Sequence, residues 1–266
     1  MRWLRPFAIT TLCASLAACS TSPTGRSQLL LLSDAELNQM GQQAFAQYQQ
    51  DVPLGDQASL RYVQCITDAI VDVLPESQRN LDWQVRVFES EQPNAFALPG
   101  GYMGVNTGML DIATSQDQLA SVIGHEIGHV LASHANERAS TQSATSLGLS
   151  VISSAAGQSA GGQQLMGVLG MGAQYGIALP FSRRHESEAD TIGQNLMAQA
   201  GFDPRESVTL WENMQAASSG GSPPAWLSTH PSQGQRIGGL EATMDQAMST
   251  YEQARNQGRT PNCPSP

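Results

Sequence analysis

His125-Glu126-Ile127-Gly128-His129, set inside the apolar run Leu119 to His134, is the stretch on which the reading of this chain turns. Two histidines four apart lie about 40° apart around a helix of roughly 3.6 residues per turn, so both imidazoles leave one face and can grip one metal ion. The Glu between them points beside that ion, where it can take a proton from a water held there. Three fixed residues also recur by chance in helices that bind nothing, so the flanks must decide. Leu119, Ala120, Val122 and Ile123 before the motif and Val130, Leu131 and Ala132 after it describe a buried helix. Buried imidazoles beside a carboxylate are costly unless something pairs them, and a zinc ion would. Ser115 and Gln118 read as a capping box, which predicts a helix from about Gln116 to Asn136.

Working outward, His134 stands about 140° round such a helix from His129, so it cannot share the ion from the same face and is expected at the surface or in packing. The third ligand must come from elsewhere. Phe181-Ser182-Arg183-Arg184-His185-Glu186-Ser187-Glu188-Ala189-Asp190 opens a second predicted helix, running to about Ala200. Glu186 and Asp190 are four apart and share a face, whereas Glu188 falls on the far side. Glu186 is therefore assigned as the third ligand, with His185 as its rival. Asp190 is read as a carboxylate that holds a ligand imidazole or takes part in proton transfer. A third ligand from a second helix is what a gluzincin requires.

The remaining elements follow from periodicity. Ser33 and Glu36 form a capping box opening a helix with Leu37, Met40, Phe45 and Tyr48, and Asp51 to Gly55 break it. A second helix covers about Gln57 to Leu74. Trp83, Val85 and Val87 alternate with polar neighbours as a strand does, Tyr102 to Asn106 is a second strand, and Thr107 to Ile112 is a helical turn. Residues 139–180 are rich in Ser, Ala, Gly and Gln and could form two loose helices or a lid; glycines and Gln174 interrupt the run Leu165 to Phe181, against a membrane-spanning helix. Downstream come a helix with Val208, Trp211 and Met214, a His230-Pro231 turn, and a last helix from about Ser232 to Asn256.

Composition bounds the partners. All 13 basic residues are Arg and the net charge is −10, a surface that disfavours nucleic acid. Arg2 and Arg5 ahead of the short apolar stretch Phe7 to Leu16 read as an export signal over residues 1–18. Leu16-Ala17-Ala18-Cys19 resembles a lipobox, which would make Cys19 the lipidated mature N-terminus; Ser20 rather than Asp after it implies the outer membrane of a Gram-negative bacterium. Cys65 and Cys263 then remain, an even pair suited to a disulfide in an oxidising periplasm. The expected order is signal 1–18, tether 19–32, one peptidase domain 33–257 and a tail 258–266.

Together these residues resemble metallopeptidase family 48, above all its periplasmic lipoprotein members without a repeat domain. The likeness is carried by Asn94-Ala95-Phe96-Ala97-Leu98-Pro99-Gly100-Gly101, the HEIGHVLASH run, Ser182-Arg183, the Glu186 and Asp190 pair, and Ser228-Thr229-His230-Pro231 with Arg236-Ile237. It implies an α+β, mainly helical, zincin-like (gluzincin) fold with a small sheet over the active-site helix. It also implies one Zn²⁺ per chain on His125, His129 and Glu186, with water activated by Glu126 and Asp190 as proton donor. In zincins the sheet edge above the metal helix pairs with extended substrate, so Asn94, Ala95 and Phe96 are candidate substrate contacts, with Tyr102 to Asn106 as that edge. His230 is expected near the metal, either as an oxyanion donor or as a fourth, inhibitory ligand, and Arg236 would steady that loop or a substrate carbonyl. The expected activity is cleavage of peptide bonds in misfolded or misassembled envelope proteins, beside the outer-membrane assembly machinery. The competing reading is a mainly non-catalytic, chaperone-like lipoprotein that binds unfolded outer-membrane proteins.

Overall fold

The computed structural model describes residues 19–155, 181–218, 225–230 and 233–266. The leader expected over 1–18, and most of the segment expected as a lid, lie outside them. Two short strands, β1 (Cys19–Thr21) and β2 (Ser27–Leu29), pair antiparallel. The expected tether is thus a hairpin, and it is docked: Gln28 Nε2 donates to Ala132 O at 2.6 Å, and Leu31 N to Ser140 Oγ at 2.8 Å. The expected capping box is present, with Ser33 N donating to Glu36 Oε2 and Glu36 N to Ser33 Oγ, and it starts α1 (Asp34–Asp51). Asp56 caps α2 (Gln57–Val71) by accepting from Ala58 and Ser59. A single turn, α3 (Glu76–Arg79), leads to the sheet.

Strands β3 (Gln84–Phe88), β4 (Ala95–Leu98) and β5 (Tyr102–Asn106) form one sheet in the order β3-β5-β4. β3 runs parallel to β5, with Val85 opposite Met103, and β4 runs antiparallel to it, with Ala97 opposite Met103. Period-two alternation gives each face its own partner. Val85, Val87, Ala95, Met103 and Val105 join Val63, Ile66 and Ile70 of α2 in the main core. On the other face Phe88, Phe96, Leu98 and Tyr102 close over Phe45 and Tyr48 of α1, the Tyr48 ring 4.6 Å from that of Phe88 and 5.0 Å from that of Phe96. The edge strand beside the site is therefore β4. Tyr102–Asn106, expected at the edge, is central because β4 pairs with its outer side.

After α4 (Thr107–Ile112) comes α5 (Gln116–Leu131), which carries the two histidines. Its cap is half the expected box: Ser115 Oγ accepts from Gln118 N, but the Gln118 side chain accepts from Thr114 N and donates to Glu206. Leu119, Ile123 and Ile127 are fully buried, each contributing roughly 1.5–3 kcal/mol. The helix stops at Leu131, short of the expected Asn136. Ser133 takes the left-handed conformation, φ 51°, and α6 (His134–Ala155) sets off in a new direction. Left-handed backbone is unfavourable for a residue with a Cβ, so surrounding contacts must hold this break.

Ser182 caps α7 (Arg183–Ala200), accepting from His185 N, and Gly201 at φ 92° ends it. α7 lies against α5 with almost no side chain between. A Cβ on Gly193 would fall 2.6 Å from His125 N, and one on Gly128 would fall 2.9 Å from Ala189 O. Only glycine permits that approach, which brings Glu186 and Asp190 within reach of the histidines. α8 (Glu206–Ser218), α9 (Ala225–Thr229) and α10 (Gln233–Asn256) complete the body. The tail then returns to α5: Gln116 Oε1 accepts from Cys263 N, and Cys263 is bonded to Cys65, with Cα atoms 5.7 Å apart. Among the described residues no helix is long and apolar enough to cross a membrane.

Candidate metal centre

His125 and His129 turn their Nε2 atoms toward each other at 3.0 Å, as four-residue spacing on α5 requires. Glu186 of α7 completes a triangle, its carboxylate oxygens 3.4 Å from His129 Nε2 and 3.5 Å from His125 Nε2. His230, just after α9, adds a fourth donor: its Nδ1 lies 3.1 Å from Glu186 Oε1 and 3.2 Å from His125 Nε2. All four side chains are buried, and their ligand atoms lie within 4.8 Å of one another. Donors held ~2.0–2.1 Å from a tetrahedral ion sit roughly 3.3 Å apart, so this set fits a metal of that kind. Burial with three imidazoles, an arrangement costly without a cation, points the same way. His185, the rival ligand, faces Glu137 at 3.1 Å instead.

The reverse side of each imidazole is also engaged. His125 Nδ1 lies 3.0 Å from Asp190 Oδ1. Asp190 in turn receives the Arg236 guanidinium on both oxygens, with Arg236 Nε donating to Oδ2 at 2.6 Å, and Arg236 Nη1 donates to Glu186 Oε2 at 2.8 Å. Arg236 lies over the Trp211 ring, 4.2 Å from its centroid. Its fork is thus spent behind the ligands, where it steadies them. His129 Nδ1 meets His134 Nδ1 at 2.9 Å, and His134 Nε2 lies 3.1 Å from Glu188 Oε2. His134 is fully buried and lies outside the group of side chains that could hold a metal, so the packing role expected of it holds; the break at Ser133 sets that packing against His129.

Glu126 is buried beside the cluster. Trp226 Nε1 donates to its Oε1 at 2.8 Å, and His230 Nε2 stands 3.4 Å from the same oxygen. Burial pushes the Glu126 carboxyl up from its ordinary value, against the pull of His230 and Trp226. Burial pushes the His125 and His129 imidazoles well down, which favours the neutral form that a metal needs. Glu186 is held below the carboxylate range, its own burial outweighed by His230, His129 and His125. Burial raises Asp190, with Arg236 opposing.

Of the candidate substrate contacts, Ala95 and Phe96 lie on β4, the strand packed on α5. The Phe96 ring is turned into the aromatic cluster under α1, so only its backbone faces the edge side. Asn94 is buried, its backbone carbonyl accepts from Asn106 N, and its Oδ1 has no partner among the described residues. Trp226 and Glu188 were missed by the sequence reading. Trp226 stands four before His230, one helical turn that His230 N closes by donating to Trp226 O at 2.8 Å, and that spacing was a signal available in the sequence. Glu188 gave no comparable signal, because Thr24 and Arg26 reach it from the N-terminal hairpin and His134 from beyond the break at Ser133.

A small sheet, a two-histidine helix and a glutamate from a later helix define the gluzincin class. The family model described as Peptidase family M48 matches residues 57–244, and the chain belongs to that family. It is 39% identical over 192 residues to the mitochondrial metalloendopeptidase OMA1 of Schizosaccharomyces pombe, covering 72% of this chain and 55% of the relative. Against human OMA1 it is 33% identical over 256 residues, 91% of this chain and 47% of the relative. Against the metalloprotease LoiP of Escherichia coli it is 27% identical over 211 residues, 79% and 81% of the two chains. The chain spans about half the length of the OMA1 relatives. The family is the expected one, yet identity to these mitochondrial members exceeds that to LoiP.

Proposed function

We propose that the protein is a zinc-dependent endopeptidase of a bacterial cell envelope. The observation that carries the catalytic reading is the buried set of His125, His129, Glu186 and His230, with the Glu126 carboxylate beside it. His125, His129 and Glu186 would hold the zinc. When bound, the ion polarises a peptide carbonyl and lowers the pKa of water at the site toward neutrality. Glu126 takes the proton of the attacking water and passes it to the leaving amine. A carboxyl raised by burial suits both halves of that task better than an ordinary one. Trp226 fixes one Glu126 oxygen and leaves the other for the proton. Asp190 holds His125 in the tautomer that presents Nε2 and is itself clamped by Arg236, which favours an orienting role over proton donation.

His230 occupies the place of a fourth donor, which supports the latch reading: at rest it closes the site, and its departure admits water and substrate. Extended substrate would lie along β4 at Asn94, Ala95 and the Phe96 backbone. The envelope address rests on Arg2, Arg5 and the lipobox ending at Cys19, with the Cys65 and Cys263 disulfide suited to an oxidising compartment. Likeness to the beta-barrel assembly-enhancing protease of Escherichia coli, 32% identical over 153 residues, supports a role beside β-barrel assembly; misassembled envelope proteins are the substrate class this reading takes. Casein digestion with and without chelator tests the reading. Glu126→Gln is expected to keep its metal and lose roughly 10²–10⁴-fold in turnover; a metal-loaded variant that still cleaves casein would sink the mechanism. His230→Ala is expected to raise turnover if the latch holds, and a loss would assign His230 to the oxyanion instead.

A further inference from the structure

We propose that His134 is a positioning residue of the metal centre and that Glu188, held by the N-terminal hairpin, sets its orientation. The proposal rests on His129 being a metal ligand.

His129 presents Nε2 to the cluster, 3.0 Å from His125 Nε2 and 3.4 Å from Glu186 Oε1. Its ring proton must then sit on Nδ1, which faces His134 Nδ1 at 2.9 Å. Two N–H groups cannot meet at that distance, so His134 Nδ1 accepts. The His134 proton is thereby placed on Nε2, which donates to Glu188 Oε2 at 3.1 Å. One carboxylate thus dictates the tautomer of two successive rings, the work usually done by a single carboxylate or carbonyl against a ligand histidine. His134 is fully buried and stacks on His185, ring centroids 4.4 Å apart, so it has no freedom to turn away.

Glu188 is fixed from outside the catalytic helices. Arg26 Nε donates to Glu188 Oε2 at 2.8 Å, and Thr24 Oγ1 donates to Oε1 at 2.5 Å. The rest of the Arg26 fork grips Glu137 of α6 at 2.6 Å on each oxygen. Thr24 and Arg26 belong to the turn between β1 and β2. A segment that the sequence offers only as a tether therefore supplies the outermost support of a ligand imidazole, through a chain of four side chains from Arg26 to His129.

The test measures metal affinity on the full protein by chelator competition with Zn²⁺ at one fixed pH. His134→Leu keeps the volume and removes the acceptor, and should weaken Zn²⁺ binding roughly 10–100-fold. His134→Gln, whose amide can accept from His129 and donate to Glu188, should recover most of that loss. Arg26→Met should give a smaller loss of the same sign, and none when added to His134→Leu. Unchanged affinity in His134→Leu, or an equal loss in the Gln and Leu variants, would overturn the role. So would an Arg26→Met effect that persists in the His134→Leu background. ¹⁵N-histidine NMR of the unmutated, Zn²⁺-loaded protein reads the same claim without a variant: His134 should carry its proton on Nε2, and a proton on Nδ1 would refute it. If the wild-type protein binds no Zn²⁺, or binds it equally without His125 and His129, the metal reading has failed rather than this one.

Discussion

His125 and His129 leave the same helix face one turn apart, yet they are held from behind by unlike means. His125 rests on Asp190, a carboxylate locked by Arg236 from α10, in the C-terminal part of the chain. His129 rests on His134, a second imidazole whose carboxylate is one step further away and anchored by Arg26, near the N-terminal end of the described chain. The first support places a charge against the ligand ring and a buried ion pair behind it. The second keeps the charge a ring's width away. The difference implies that the two sides of the proposed metal site would fail separately, the His125 side by losing a buried charge partner and the His129 side by losing alignment.

The sharpest way to break this contrast is Asp190→Ala. It strips Arg236 of its main partner in the protein interior, a change that costs about 3–5 kcal/mol when one member of a buried pair is removed, and it frees the His125 ring. Thermal unfolding should show a large loss of stability, accompanied by a weaker hold on Zn²⁺. His134→Leu, with no charge removed, should unfold distinctly later than Asp190→Ala; equal losses would erase the distinction between the two supports. Next in size is Gly193→Ala. Its Cβ would meet the His125 backbone at 2.6 Å, so α7 must shift outward at a cost of about 1–3 kcal/mol. Because that shift carries Glu186 and Asp190 away from His125, Zn²⁺ affinity should fall with stability; a variant equal to wild type in both would show that the close approach is dispensable.

The smallest effect concerns acid and belongs to the His129 side alone. Burial pushes the Glu137 carboxyl up, but the Arg26 fork, Gln28 and His185 outweigh it and hold it below its ordinary value. A carboxyl lowered by folding contributes stability above its unfolded pKa of about 4.3 and loses it as pH falls through the folded value. The hairpin should therefore loosen below about pH 4.3, read as faster proteolytic nicking of residues 19–32. Glu137→Gln should flatten that dependence, and an unchanged acid profile in the variant would place the sensitivity elsewhere.

Much of this was legible in residue order. Ser33 with Glu36, Ser182, and Pro and Gly at segment ends announce where helices start and stop, because caps act within three or four residues. The same locality exposed His125, Glu126 and His129, and the pairing of Glu186 with Asp190 on one face of α7. Other parts were not legible. Tyr102–Asn106 was expected at the sheet edge, and it lies in the centre because β4 pairs with it, a choice made by packing on α5. His134 was excluded as a metal ligand by helix geometry, and it is not one of the grouped donors; its contact behind His129 was not legible, because it depends on the left-handed Ser133. Gly124, Gly128, Ala189 and Gly193 formed a readable pattern of small residues four apart, whose meaning appears once α5 and α7 are seen in contact.

By itself, then, the sequence determined the candidates: which side chains are suited to bind a metal, which carboxylate is suited to move a proton, and which helices carry them. Those properties depend on residue type and on spacing within one helical turn. Tertiary structure alone decided how the ligands are held, because Arg26 with Glu188, Arg236 with Asp190, and Trp226 with Glu126 each join residues from distant parts of the chain. Such pairings form only where packing removes water and leaves a buried charge or ring proton no nearer partner.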